Sequence, residues 1–220
     1  MSRLWYFLGG AATGVAGVIG VCFFQALREC RDSDSILHDY LTSGGASNVE
    51  SGKAAKTLHK AEMIIKDLDY EASIIVSRGG QILHIKKGEE NSVSYPVDLV
   101  RNNILTHNHT PGGYDHMLST NDVKNMIANN KHETRAVTRD GYFVSLKKGS
   151  GEINPALGDE LEKAFSNKAK LISSAQAQAI KKYGRQITAQ QIYREAANIV
   201  NEWLRENAPK YGYIFTKGKI

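Results

Sequence analysis

Residues 4–27, LWYFLGGAATGVAGVIGVCFFQAL, contain no charged side chain, and this run constrains the chain more than any other feature. The hydrocarbon core of a bilayer asks for about 20 consecutive apolar residues. The 24 residues here would span roughly 36 Å as a helix rising ~1.5 Å per residue. The run therefore reads as a single-pass N-terminal transmembrane anchor. Trp5, Tyr6, Phe23 and Phe24 lie near its ends, where aromatic rings favour the headgroup boundary. Gly10 and Gly14, then Ala16 and Gly20, have the small-residue spacing that would let two such helices approach as a homo-oligomer. A cleaved secretory signal is the rival. It is disfavoured because only Arg3 and the amino terminus form a basic region and Phe24-Gln25-Ala26 is a poor cleavage site. Arg3 on one flank and Arg28 with Arg31 on the other leave the membrane orientation undetermined.

The rest of the 220-residue chain has ordinary globular composition, which excludes a disordered or collagen-like protein and fits one domain with an appendage. Cys22 and Cys30 are the only cysteines, too few for a disulfide framework or a four-thiolate zinc site. Any zinc site must then be built from histidine and carboxylate. Residues 159–220 hold eleven Lys/Arg against six Asp/Glu, so the whole net charge of +5 lies there. Those cations are spread among alanines and glutamines, as on a solvated helical face, and nucleic acid is not an expected partner. Four parts result: an anchor at 1–28, a polar juxtamembrane linker at 29–53 with a short helix around Leu37 to Leu41, an α/β core at 54–150, and a C-terminal helical extension at 151–220 that packs on the core.

Leu58, Ala61, Ile65 and Leu68 recur at helical spacing and predict a helix over 54–68. EASIIVS (71–77) and QILHIKK (81–87) predict two strands around a Gly79-Gly80 turn, and ILTHNH (104–109) a third. Ser119 opens a helix expected over 119–130. Strands at 134–138 and 142–146 flank Asp140-Gly141, a second hairpin signal. Leu161, Phe165 and Ile172 mark one C-terminal helix. Ile192, Ala196, Ile199 and Trp203 mark another, which begins with the capping box Thr188-Ala189-Gln190-Gln191. The fold class expected is α/β, a small mixed β-sheet flanked by helices.

The chemistry concentrates at Ile104-Leu105-Thr106-His107-Asn108-His109, followed by Ser119-Thr120-Asn121-Asp122. Side chains alternate along a strand, so His107 and His109 project to one face, suitably for one metal ion. Asp122, early in the next helix, would return as a third, oxygen ligand. Two histidines and a carboxylate with an open position is a catalytic zinc arrangement. Such a site needs a general base, and Glu71, at the start of the first strand, is the candidate. Ser119 and Asp122 also fit an N-capping signature, which would account for both by helix initiation alone. Asp115 and His116 do not have the spacing of binuclear hydrolases.

These residues resemble the JAB/MPN metallopeptidase-like motif, His-x-His followed by Ser-x-x-Asp with an upstream Glu. ILTHNHTPGG is most similar to the RadC-like branch and to the domain at the C-terminal ends of phage minor head (head morphogenesis) proteins. The resemblance extends to EASIIVSRGGQIL, NSV (91–93), RAVTRDGYFVSL and NEWLRENAPKYGYIF, covering roughly 70–215. It implies a cytidine-deaminase-like sheet arrangement, Zn2+ on His107, His109 and Asp122, Glu71 as the base that activates a water, and Ser119 as the donor to a developing oxyanion. The reaction implied is hydrolysis of an amide or isopeptide bond in a protein or peptide substrate. The phage-type branch would set the protein in a virion or a bacterial inner membrane. Two departures stand out: Thr110 separates His109 from Pro111, and the twelve residues between His109 and Asp122 exceed the family's usual spacing.

Two other functions fit the sequence. One is a non-catalytic virion- or envelope-associated interaction protein of the same fold. The other is a metal-dependent nuclease, suggested by the letters His-Asn-His. Nuclease histidines of that name are usually separated across a hairpin and helix, whereas His107 and His109 are two residues apart on one strand.

Overall fold

The computed structural model describes residues 51–220 except 112–115, 151–154 and 185–187. The expected membrane run 4–27 and the short helix at 37–41 lie outside the described residues. Among the described residues, no helix is long and apolar enough to cross a membrane.

The chain forms an α/β structure around one six-stranded mixed sheet. Helix α1 (Ser51–Ile65) begins three residues earlier and ends three earlier than its apolar spacing suggested. Its buried stripe is Ala54, Leu58, Ala61 and Ile65. Leu68 is buried too, but from a turn, where Leu68 N donates to Ile65 O at 3.1 Å in the tighter i to i+3 pattern of a helix end. Strands β1 (Ala72–Val76) and β2 (Ile82–Lys87) form the expected antiparallel hairpin, with a register shift at Ile75/Val76. Gly80 closes the turn at φ 90°, which a side chain would strain. The short helix α2 (Val97–Val100) then leads to β3 (Ile104–Asn108), which pairs antiparallel with β1.

Helix α3 (Thr120–Ala128) is the crossover between β3 and the parallel strand β4 (Glu133–Val137). β5 (Tyr142–Lys148) returns antiparallel after Asp140-Gly141, with Gly141 at φ 79°. The C-terminal part departs from expectation twice. The anticipated single helix through Leu161 and Ile172 is two, α4 (Pro155–Ser166) and α5 (Lys168–Tyr183), broken at Asn167. The chain also does not end as a helix. After α6 (Ala189–Asn207) and a single 3-10 turn, Gly212 reverses it in the left-handed region, and β6 (Tyr213–Lys219) pairs antiparallel with β5. Tyr213 and Phe215 are buried while Ile214 and Thr216 are exposed, the period of two that a strand requires. The strand order is β2-β1-β3-β4-β5-β6.

The sheet divides two cores. On one face α1 packs on Ala72, Ile74, Val76, Ile85, Ile104 and Val137. On the other, α3, α4 and α6 pack on Ala136, Val144, Leu146, Tyr213 and Phe215. Each fully buried Leu or Ile in these layers contributes about 1.5–3 kcal/mol. Gly158 lets α4 lie against α3, since a Cβ there would sit 2.8 Å from Ile127 Cγ2.

A buried ion network ties α1 to the sheet. Arg135 Nε donates to Glu62 Oε1 at 2.5 Å, Arg135 Nη2 to Glu62 Oε2 at 2.8 Å, and Thr106 Oγ1 to Glu62 Oε1 at 3.0 Å. Arg135 Nη1 also reaches Glu133 Oε1 at 3.1 Å, which accepts from Ser145 Oγ at 2.5 Å. Glu62 is completely buried, yet both of its oxygens are paired. The guanidinium therefore satisfies, from β4, a charge carried by α1.

Candidate metal centre

β3 sends alternate side chains to the two cores. Thr106 and Asn108 face α1, while Leu105, His107 and His109 face the side where α3 begins. Asn108, between the histidines, is fully buried and acts as a clamp. Its Oδ1 accepts from Ala72 N at 2.6 Å and its Nδ2 donates to Tyr70 O at 2.9 Å. That clamp fixes the start of β1, and so Glu71, beside the end of β3.

Asp122 arrives through helix initiation. Ser119 is the N-cap of α3: its Oγ accepts from Asp122 N at 3.0 Å, and its N–H donates to Asp122 Oδ2 at 2.7 Å. This capping box holds the carboxylate in place. Asp122 Oδ1 lies 3.2 Å from His107 Nε2, and Oδ2 lies 3.5 Å from His109 Nε2. The two Nε2 atoms are 3.1 Å apart. The longer spacing between His109 and Asp122 thus does not stop the third residue from reaching the pair. Thr110, the extra residue before Pro111, donates its hydroxyl to Glu90 O at 2.9 Å and to Asn91 Oδ1 at 3.0 Å, fastening the loop after β3 to the loop after β2.

His107, His109 and Asp122 each offer one ligand atom, and these atoms lie within 4.8 Å of one another. The two Nε2 atoms, 3.1 Å apart, are close to the ~3.3 Å edge of a tetrahedron with ligands ~2.0–2.1 Å from its centre, and each has a different oxygen of Asp122 within 3.5 Å. The side chains are 5, 13 and 15% exposed, which shields them yet leaves a path for an ion. The donor set fits a divalent metal. Two imidazoles and one carboxylate suit zinc and other first-row ions alike, so the set alone does not name the metal.

Burial pushes the Asp122 carboxyl up, but the charges and hydrogen bonds of His107 and His109 outweigh it and hold the group well below the usual carboxylate range. Glu71, one residue before β1, shares the face of Ser73, which pairs with His107 across the strands. Burial pushes the Glu71 carboxyl up; the His107 and His109 imidazoles oppose the rise, and Asp122 adds to it. The net rise brings Glu71 toward the range of a general base. His107 Nδ1 and Ser73 Oγ are both buried and have no hydrogen-bond partner among the described residues. They belong to directly opposed residues.

Asp115 lies outside the described residues. His116 is not part of the triad: its Nε2 lies 3.5 Å from Asp140 Oδ2, and its carbonyl accepts from Asn201 Nδ2 at 2.9 Å.

Two neighbours were not anticipated from the sequence. Lys131 is 1% exposed; its Nζ donates to Tyr95 Oη at 2.8 Å. Burial lowers the Lys131 ammonium to about 8, against the pull of Asp122. Burial and the Asp122 charge push the Tyr95 phenol up to about 12. Asn129-Asn130-Lys131 reads locally as an exposed helix end, and no periodic signal marks that lysine as interior.

No family model matches the chain, and neither a curated protein nor a solved structure does.

Proposed function

We propose that the chain is a zinc-dependent hydrolase of the JAB/MPN-like type, anchored in a membrane by residues 4–27, that cleaves an amide or isopeptide bond. The observation that carries this reading is the convergence of His107 Nε2, His109 Nε2 and an Asp122 oxygen within 4.8 Å of one another, with a second carboxylate, Glu71, on the same face. A divalent ion bound there would supply Lewis acidity to a water and to the substrate carbonyl. The protein's own groups would do the rest. Glu71, its carboxyl raised by burial, would accept a proton from the attacking water and pass it to the leaving amine. The Ser119 hydroxyl accepts from Asp122 N, which leaves its own proton to donate to a developing oxyanion.

A non-catalytic interaction module of the same fold is the second reading. One observation favours it: the complete capping box gives Ser119 and Asp122 a structural reason to be where they are. Glu71→Gln separates the two. For a hydrolase, the variant binds zinc as the wild type does, yet cleavage of lysine-linked isopeptide chains or cell-wall-type peptides falls by about 100-fold or more. Unchanged cleavage removes Glu71 as the base. No cleavage by the zinc-loaded wild type across that panel supports the interaction module.

A further inference from the structure

On the face opposite the metal centre, α1 packs on β1 and β3 but leaves a groove beside β5 and β6. The groove has a volume of about 1580 Å3. Its lining holds five cations, Arg78, Arg135, Lys147, Lys148 and Lys219, and two carboxylates, a net charge of +3. Both carboxylates, Glu62 and Glu133, are turned onto Arg135. The positive charge presented outward is therefore that of Arg78, Lys147 and Lys148, because Lys219 Nζ lies 5.1 Å over the Tyr142 ring. Among the described residues, Arg78, Lys147 and Lys219 make no ion pair. Between these charges lie apolar groups: Ile214, which pairs with Lys147, is 49% exposed, and Phe143 lines the same groove farther along β5.

We propose that this groove is the docking site of the chain's own residues 32–50. The charges are complementary: Asp32, Asp34, Asp39 and Glu50 face no Lys or Arg anywhere in that segment. The apolar content matches too, because Ile36, Leu37, Tyr40 and Leu41 cluster between the carboxylates. Connectivity favours this occupant over any other. Glu50 directly precedes Ser51, the first residue of α1, and Ala54 and Ala55 of that helix line the groove. A tether of a few residues gives an effective concentration in the millimolar range, so weak contacts suffice. The segment is long enough: nineteen residues at ~3.3 Å each exceed the width of a domain. Docking would cover the apolar floor of the groove, neutralise its cations, and hold the chain leading from residues 4–27 on the face away from the metal centre.

Zero-length carbodiimide cross-linking of the full chain, mapped by mass spectrometry, tests this. The ion pair between Lys182 and Glu195, at 3.0 Å, provides an internal positive control. The expected result is cross-links from Asp32, Asp34 or Asp39 to Lys147, Lys148 or Lys219, with a yield that does not change on dilution. In a mixture of light and heavy isotopic chains, the links should join fragments of the same isotope. Lys147→Glu with Lys219→Glu should lower the yield by about tenfold, as attraction turns to repulsion. Adding Asp34→Lys and Asp39→Lys should restore it. Mixed-isotope links would assign the groove to a second copy and overturn the proposal. Control links without groove links, or failure of the reversed charges to restore the yield, would also overturn it.

Discussion

Two buried polar clusters stand back to back on β3 and β4, and they differ in how their charges are met. On the α1 face, the Glu62 carboxylate is closed by the Arg135 guanidinium and the Thr106 hydroxyl, so every strong acceptor has its donor within the chain. On the other face, His107, His109 and Asp122 bring possible ligand atoms to within 3.1–3.5 Å of one another, and among the described residues no Lys or Arg pairs with them. One cluster is complete as folded; the other gathers the donor atoms of a candidate metal centre. Adjacent residues of one strand, Thr106 and His107, serve the two, which shows how strand alternation lets a thin sheet carry a structural ion network and a candidate metal centre without mixing them.

The largest expected effect breaks the complete cluster. Glu62→Ala leaves the Arg135 charge buried with Glu133 alone and should destabilise the fold by about 3 kcal/mol or more in urea unfolding. Asp122→Ala in metal-depleted protein should cost only about 1 kcal/mol, the value of a helix cap. Equal losses would erase the distinction between the faces. Next in size is the response to metal. At a hundredfold excess over Kd, zinc should stabilise the wild type by about 2.7 kcal/mol. His107→Ala/His109→Ala should remove that gain, while Glu62→Ala should retain it.

The third prediction concerns Lys131, whose ammonium is lowered from 10.5 to about 8. Between pH 8 and 10 the folded protein binds fewer protons than the unfolded chain, so stability should rise with pH there, by roughly 2 kcal/mol. In Lys131→Met the rise should be absent; an unchanged rise would place its origin elsewhere. The smallest effect belongs to Ser73. Metal-bound histidines usually donate their second ring N–H to a partner, and Ser73 Oγ is the buried polar atom on the residue opposite His107. Ser73→Ala should weaken zinc binding by about tenfold without loss of stoichiometry, as titration calorimetry would show.

The sequence carried different parts of this picture with unequal clarity. His107 and His109 were legible because alternation is a local rule, and Asp122 because its capping box is written in four consecutive residues. Glu71 was legible as a strand start, and its face follows from the pairing of Ser73 with His107. Glu62 and Lys131 were hidden. Each is a charged residue on or beside a helix, where solvent is the ordinary neighbour, and burial depends on a partner distant in sequence: Arg135 is 73 residues from Glu62, and Tyr95 is 36 from Lys131. β6 was missed for a related reason. Tyr213 to Phe215 follow a long amphipathic helix, and nothing local indicates that β5 offers them an open edge.

Metal analysis by native mass spectrometry of the folded full chain tests the central claim most directly. The account predicts one divalent ion per chain, zinc in preference to others, retained in Glu71→Gln and lost in His107→Ala/His109→Ala. A folded wild-type chain that takes up no divalent ion, or a double variant that still binds one, would contradict it.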